Sequence, residues 1–168
     1  LDGVGMKVPE KHQSVIGMSA SELSIQNSTI FSKIDLSEGS KLALENVHIE
    51  KFGNNTIHAK DSEVVAKNST ITGGDLEKDF PPVWLRNVIW ESENCKIELP
   101  TGTGVCLDNN VQFNSDSDRM TSINSYNSMI RAHQATFTEF LCVYEESFAS
   151  LTGETTFLNE NAQTISFG

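Results

Sequence analysis

The chain has 168 residues, about one domain's worth, with 12 basic and 23 acidic side chains and a net charge of −11. That acidity disfavours a nucleic-acid binder, which needs a basic face to displace counterions from phosphate, and it argues against electrostatic docking on an anionic membrane. No run approaches the ~20 apolar residues of a membrane-spanning helix, so neither nucleic acid nor membrane insertion is expected.

Residues 1–15, with Pro9, His12 and several charges, read as a non-repeating lead-in or N-terminal cap, and 16–168 as a single domain. The start at Leu1, without Met or a basic-then-apolar leader, reads as a piece of a longer polypeptide. Extracellular, virion and cytoplasmic settings all stay open.

From Ser21 onward the chain repeats. Ser21 to Ile30, Ser40 to Ile49 and Ser62 to Ile71 share the pattern Ser-x-h-x-h-x-Asn-x-x-h, where h is apolar. Val83 to Trp90 and Val105 to Asn109 keep the spacing, and Ser128 to Phe137 and Ser147 to Thr156 follow it loosely. The anchors fall at 27, 46, 68, 87, 109, 134 and 153, a mean period of 21 residues. Within each copy the period is two, which makes strands rather than helices. The inward pairs are Leu23 and Ile25, Leu42 and Leu44, Val64 and Ala66, Val83 and Leu85, Val105 and Leu107, Ile130 and Ala132, and Ala149 and Leu151. Further short strands are expected within Phe31–Leu36, Thr56–Ala59, Cys95–Leu99, Phe137–Val143 and Ile165–Phe167. The segments Gly73–Pro82 and Asn114–Asn127 interrupt the repeat and read as protruding loops.

A unit of this length cannot bury its own apolar face, but stacked coils cover one another. The apolar pairs and the series Asn27, Asn46, Asn68, Asn87 and Asn109 resemble the right-handed parallel β-helix of the pectin-lyase-like superfamily. The resemblance implies an all-β solenoid of about seven coils, roughly 34 Å tall at the strand spacing. It also implies that the asparagines point inward and bond to one another as a ladder.

The chemistry on offer is sparse. Asp116 and Asp118 in the second loop, and Asp75, Glu77 and Asp79 in the first, are the carboxylates nearest to an acid–base pair. Solvated acidic loops are the preferred reading, and no catalytic residue is assigned. Asn-Thr-Asp, Gly-His-Gly, Arg-Ile-Lys and Arg-x-Pro-x-x-Arg, motifs of polysaccharide-active members of that superfamily, are absent. His48 and His58 flank one coil without a metal-binding spacing, so no metal and no cofactor are expected. Cys95, Cys106 and Cys142 form no disulfide framework and read as small hydrophobes, though one disulfide beside a free thiol stays open. The sequons at Asn27, Asn54 and Asn68 read as chance matches.

Alternation places Ser24, Ala43, Val65, Trp84, Cys106, Arg131 and Ser150 in one outward column, and Gln26, Glu45, Lys67, Arg86, Asp108, His133 and Thr152 in the next. Val65, Trp84 and Cys106 are then expected to form an apolar patch, with Arg86 and Arg131 nearby, that serves as an interface or a sugar-stacking face. Cover by another segment of the chain is the rival. The expected function is a non-catalytic binding or structural module, of adhesin, tail-spike-shaft or scaffold type, that meets a protein partner, a second copy or a glycan. The alternatives are a polysaccharide lyase or hydrolase and an end-to-end polymerising β-helix.

Overall fold

The computed structural model describes residues 5–6, 15–51, 56–73, 81–100, 103–158 and 165–167, with the backbone alone for 5, 6, 51 and 167. Alternating apolar and polar side chains make strands, and neighbouring strands pair in parallel, each with its equivalent in the next coil. No helix occurs among the described residues. The chain is an all-β parallel solenoid of about six coils with a period near 22 residues.

Strands are numbered in chain order and stack in three columns. The first column holds β2 (Val15–Ser19), β5 (Lys33–Ser37), the first half of β8 (Ile57–Lys67) and the first half of β10 (Val83–Glu93). It continues through β12 (Val105–Asp108), β15 (Ile123–Tyr126), β18 (Leu141–Tyr144) and β21 (Ile165–Phe167). The second column holds β3 (Glu22–Gln26), β6 (Lys41–Glu45), the second halves of β8 and β10, β13 (Gln112–Asp116), β16 (Met129–His133) and β19 (Phe148–Thr152). The third holds β1 (Gly5–Met6), β4 (Thr29–Ile30), β7 (His48–Lys51), β9 (Thr70–Gly73), β11 (Lys96–Glu98), β14 (Arg119–Met120), β17 (Thr136–Phe137) and β20 (Thr156–Phe157). Because β8 and β10 run through both, the first two columns form one 13-stranded sheet beside an eight-stranded third. Most of the lead-in lies outside the described residues; Gly5 and Met6 add a rung beneath Thr29 and Ile30.

The repeat is real, but its register slips at two copies. Val83 and Leu85 pair with Ile57 and Ala59 and with Val105 and Leu107, all in the first column. In the second column the partners of Val64 and Ala66 are Trp90 and Ser92, then Phe113 and Ser115. The corner residues that close this column are therefore Asn27, Asn46, Asn68, Asn94, Ser117, Gln134 and Gly153. Asn87 and Asn109 belong to the corner between the first and second columns.

The asparagines also point the other way. Asn27, Asn46, Asn68, Asn87 and Asn109 are all exposed, with φ between 47° and 56°. A left-handed corner turns the chain in one residue, and Asn tolerates that region better than other residues with a Cβ. The side chains do form short surface ladders: Asn46 Nδ2 donates to Asn27 Oδ1 at 3.2 Å, and Asn110 Nδ2 to Asn87 Oδ1 at 2.6 Å.

The interior ladder is made by the residue after the corner. Ser28, Ser40, Ser62, Ser69 and Ser128 are buried. Ser69 Oγ donates to the Lys67 carbonyl at 2.7 Å and accepts the Val47 N–H of the preceding coil at 3.1 Å. Ser128 Oγ does the same for the Tyr126 carbonyl at 2.8 Å and the Val111 N–H at 3.2 Å. Each hydroxyl thus satisfies two backbone groups that a sharp corner leaves without strand partners. The sequons at 27 and 68 follow from this logic: Asn turns the corner, Ser bonds inward and Thr starts the next strand. Asn54 lies outside the described residues.

The segment Asn114–Asn127 is not a loop. It contains the end of β13, a one-residue corner at Ser117, β14 and β15. Of the first proposed loop, Asp75, Glu77 and Asp79 lie outside the described residues. The strand expected within Phe137–Val143 is found as the end of β17 at Phe137 and the start of β18 at Leu141. His48 sits in the third column and His58 in the first, so the two do not share a site.

Candidate functional site

The carboxylate pair divides across the wall of the solenoid. Asp116 is on the outer face at the end of β13, where it accepts from Ser117 Oγ at 3.0 Å. Asp118 follows the corner, points inward and is 1 % exposed. It accepts the Cys95 N–H at 2.7 Å, the Ser115 hydroxyl at 2.8 Å and the Ser92 hydroxyl, which itself accepts from the Trp90 indole N–H at 2.9 Å. Burial raises the Asp118 carboxyl above its ordinary range, against the pull of these donors. Its place in the coil is that of Ser69, so it is a corner group that serves the backbone. Asp116 and Asp118 lie on opposite sides of the wall and do not face a common site.

Val65, Trp84 and Cys106 do not share a column. Val65 lies in the second, between Ala43 and Glu91. Trp84 and Cys106 are neighbours in the first, where the outward row runs Asp35, His58, Trp84, Cys106, Asn124, Cys142. His58 stacks on Trp84 with ring centroids 4.5 Å apart and planes 25° apart, and its Nδ1 lies 3.1 Å from Asp35 Oδ1. The half-buried indole gives one face to the imidazole. Tyr126 and Tyr144 pair likewise in the next row, with centroids 5.2 Å apart. These rings bind coil to coil, as cross-strand aromatic pairs do. His58, Tyr126 and Tyr144 escape a reading that places 83–87 in the wrong column; aligning that segment on 57–61 reveals them.

Arg86 Nε reaches Asp108 Oδ2 at 3.9 Å. The Cys106 thiol is half-buried, and desolvation followed by the charge of Asp108 pushes it up to about 11. Burial first, then Asp118 and Glu93 among the charges, pushes the Cys95 thiol up to about 11 as well. Neither is a thiolate nucleophile near neutral pH. All three cysteines are free, and Asn124 separates Cys106 from Cys142 along the row.

The remaining candidate, Arg131, lies with Asp116 in a shallow depression of about 390 Å³ on the second column. The central outward row there is Glu91, Asn114, Arg131, Ser150, and the next is Glu93, Asp116, His133, Thr152. His133 Nδ1 and Thr152 Oγ1 lie 3.0 Å apart. Among the described residues no group of three or more His, Cys, Asp or Glu side chains is placed to hold a metal ion. The depression offers hydrogen-bond donors and acceptors from four strands without a cavity that excludes water. Neither protein-family models nor curated proteins nor solved structures give a match to this chain.

Proposed function

We propose that the chain is a non-catalytic binding or structural module of a larger protein, a right-handed coil stack of the pectin-lyase-like kind. The observation that carries this reading is the division of Asp116 and Asp118 between the outside and the inside of the wall. A glycosidase needs two carboxyl groups facing one bond, and an acid whose lone pairs already serve Cys95, Ser92 and Ser115 cannot reach it. The outer face of the second column, with its depression, supplies a surface for contact instead.

The test is turnover and binding on one panel of polysaccharides. The native chain is expected to release no product. Product release that stops in Asp116→Asn would overturn the reading in favour of a lyase or hydrolase. Light scattering on the native chain and on Trp84→Asp separates self-association from a hetero-partner. An oligomer that dissociates in the variant places the contact on the first column, and an unaffected monomer leaves the second-column face as the working surface.

A further inference from the structure

We infer that the second-column face over β10, β13, β16 and β19 docks a protein segment that sets a carboxylate side chain beside an apolar one. This rests on the binding-module reading and names the class of partner. Three observations on one face carry it.

The first is charge. Every lysine whose side chain is described bridges a carboxylate: Lys33 to Asp35, Lys41 to Glu63, Lys60 to Asp61, Lys67 to Glu93 and Lys96 to Glu98. Arg86 meets Asp108. Of the Lys and Arg side chains described, only Arg119 and Arg131 make no ion pair, in a chain with 23 acidic residues. The rung neighbours of Arg131 are Asn114 and Ser150, both neutral. Its guanidinium keeps a planar fork of donors that matches a carboxylate.

The second is the row beside it. Two residues before Arg131, Met129 stands in an outward row with Ile89, Gln112 and Phe148. Ile89 is 43 % exposed and Phe148 58 %. In the N-terminal half the same row is Glu22, Lys41, Glu63, so the exposed apolar groups belong to this end of the face. Arg, Met and Phe around a polar rim are the composition of a protein-binding patch rather than of ordinary surface.

The third is the backbone. Strands β10, β13 and β16 are paired on both sides, so no strand edge is open at Arg131; among the described strands β19, which pairs only with β16, ends the column. Recognition at Arg131 therefore comes from its side chain and those around it. The matching partner presents Asp or Glu to Arg131 and a Leu, Ile or Phe to the Ile89–Met129–Phe148 row.

A random-peptide display library selected on the immobilised chain tests this, followed by calorimetry on synthetic versions of the enriched peptides. The enriched sequences should place Asp or Glu next to a large apolar residue. Arg131→Gln should weaken their binding at least about tenfold, the worth of a charge-assisted bond. Phe148→Ser should weaken it too, with Met129→Ser as a substitute if that variant melts early, and Lys41→Gln should leave it unchanged. Enriched peptides without an acidic residue, or affinities indifferent to Arg131→Gln, would overturn the inference while leaving a binding module intact. A library that yields no binder overturns it as well, and the polysaccharide panel then decides the binding reading separately. A dimer of the native chain that Arg131→Gln dissolves would overturn the peptide in favour of a second copy.

Discussion

The two halves of the second column share one backbone and use it differently. In β3, β6 and β8 the interior pairs are aliphatic, Leu23 and Ile25, Leu42 and Leu44, Val64 and Ala66. Outside, small residues Ser24, Ala43 and Val65 run between rows of charges that bond from rung to rung, as Gln26 to Glu45, Lys41 to Glu63 and Lys67 to Glu93 do. In β10 and β13 the pairs become a ring and a hydroxyl, Trp90 with Ser92 and Phe113 with Ser115. The small residue makes room for the large one, and the indole N–H then needs an acceptor, which the serine and Asp118 supply. Outside, Arg131 makes no ion pair, and Ile89 and Phe148 stand exposed in the row beside it. A solenoid coil whose polar groups are all satisfied by its neighbours has nothing left to offer a partner. The second half keeps groups in reserve.

The largest blow to this contrast comes from inside the second half. Trp90→Ala removes a ring that is 0 % exposed and stacks on Phe113 at 5.7 Å, and should cost about 3–5 kcal/mol in denaturant unfolding. Next comes Asp118→Ala, which strands the Cys95 N–H and two hydroxyls in the interior and should cost about 3 kcal/mol.

Asp118→Asn keeps the shape and isolates the charge. Because the folded carboxyl is raised, the native state holds a proton that the unfolded chain has released. Stability from this group therefore falls as pH climbs from the ordinary carboxylate range through the raised folded value, and returns on acidification. Urea titrations across that window should show this slope in the native chain and lose it in Asp118→Asn. Equal slopes would mean the network holds the carboxylate charged at no cost.

Smaller effects probe the first half. Asn46→Ala puts an ordinary side chain at φ 54° and should cost about 1 kcal/mol, whereas Asn46→Gly should cost less. An equal loss in both would show that the bond to Asn27, rather than the backbone, matters at this corner. The smallest is Lys67→Ala: the exposed pair with Glu93 at 3.3 Å should shift stability by less than about 1 kcal/mol, and thermal melts can check it.

Residues 21–73 were legible because each short coil shows its apolar pair, its corner and its inward serine in a fixed order. The slip came at Val83–Asn87. That segment, h-x-h-x-Asn, looks the same as Leu23–Asn27, since both corners need a left-handed residue and both strands alternate. Period two tells inside from outside; it does not tell one wall of the coil from the next. The slipped anchors lie between correct ones, so the mean period survived the error. Alternation puts Arg131 on an outward column, but the slipped register gives it the wrong neighbours, and Ile89, Met129 and Phe148 fall into one row only when β10, β13, β16 and β19 are aligned.

Sequence alone determined that this chain is a stack of parallel strands, because burial of alternating apolar side chains at a repeat near 21 residues has that solution. It also marked the corners at Asn27, Asn46, Asn68, Gln134 and Gly153, whereas those at Asn94 and Ser117 needed the register of the neighbouring coils. Only the tertiary structure decided which wall each strand belongs to, that the asparagines face water while the serines after them face in, and that Asp116 and Asp118 part company. Those outcomes depend on backbone partners in other coils, 17 to 26 residues away along the second column, and local composition does not encode which partner a strand will meet.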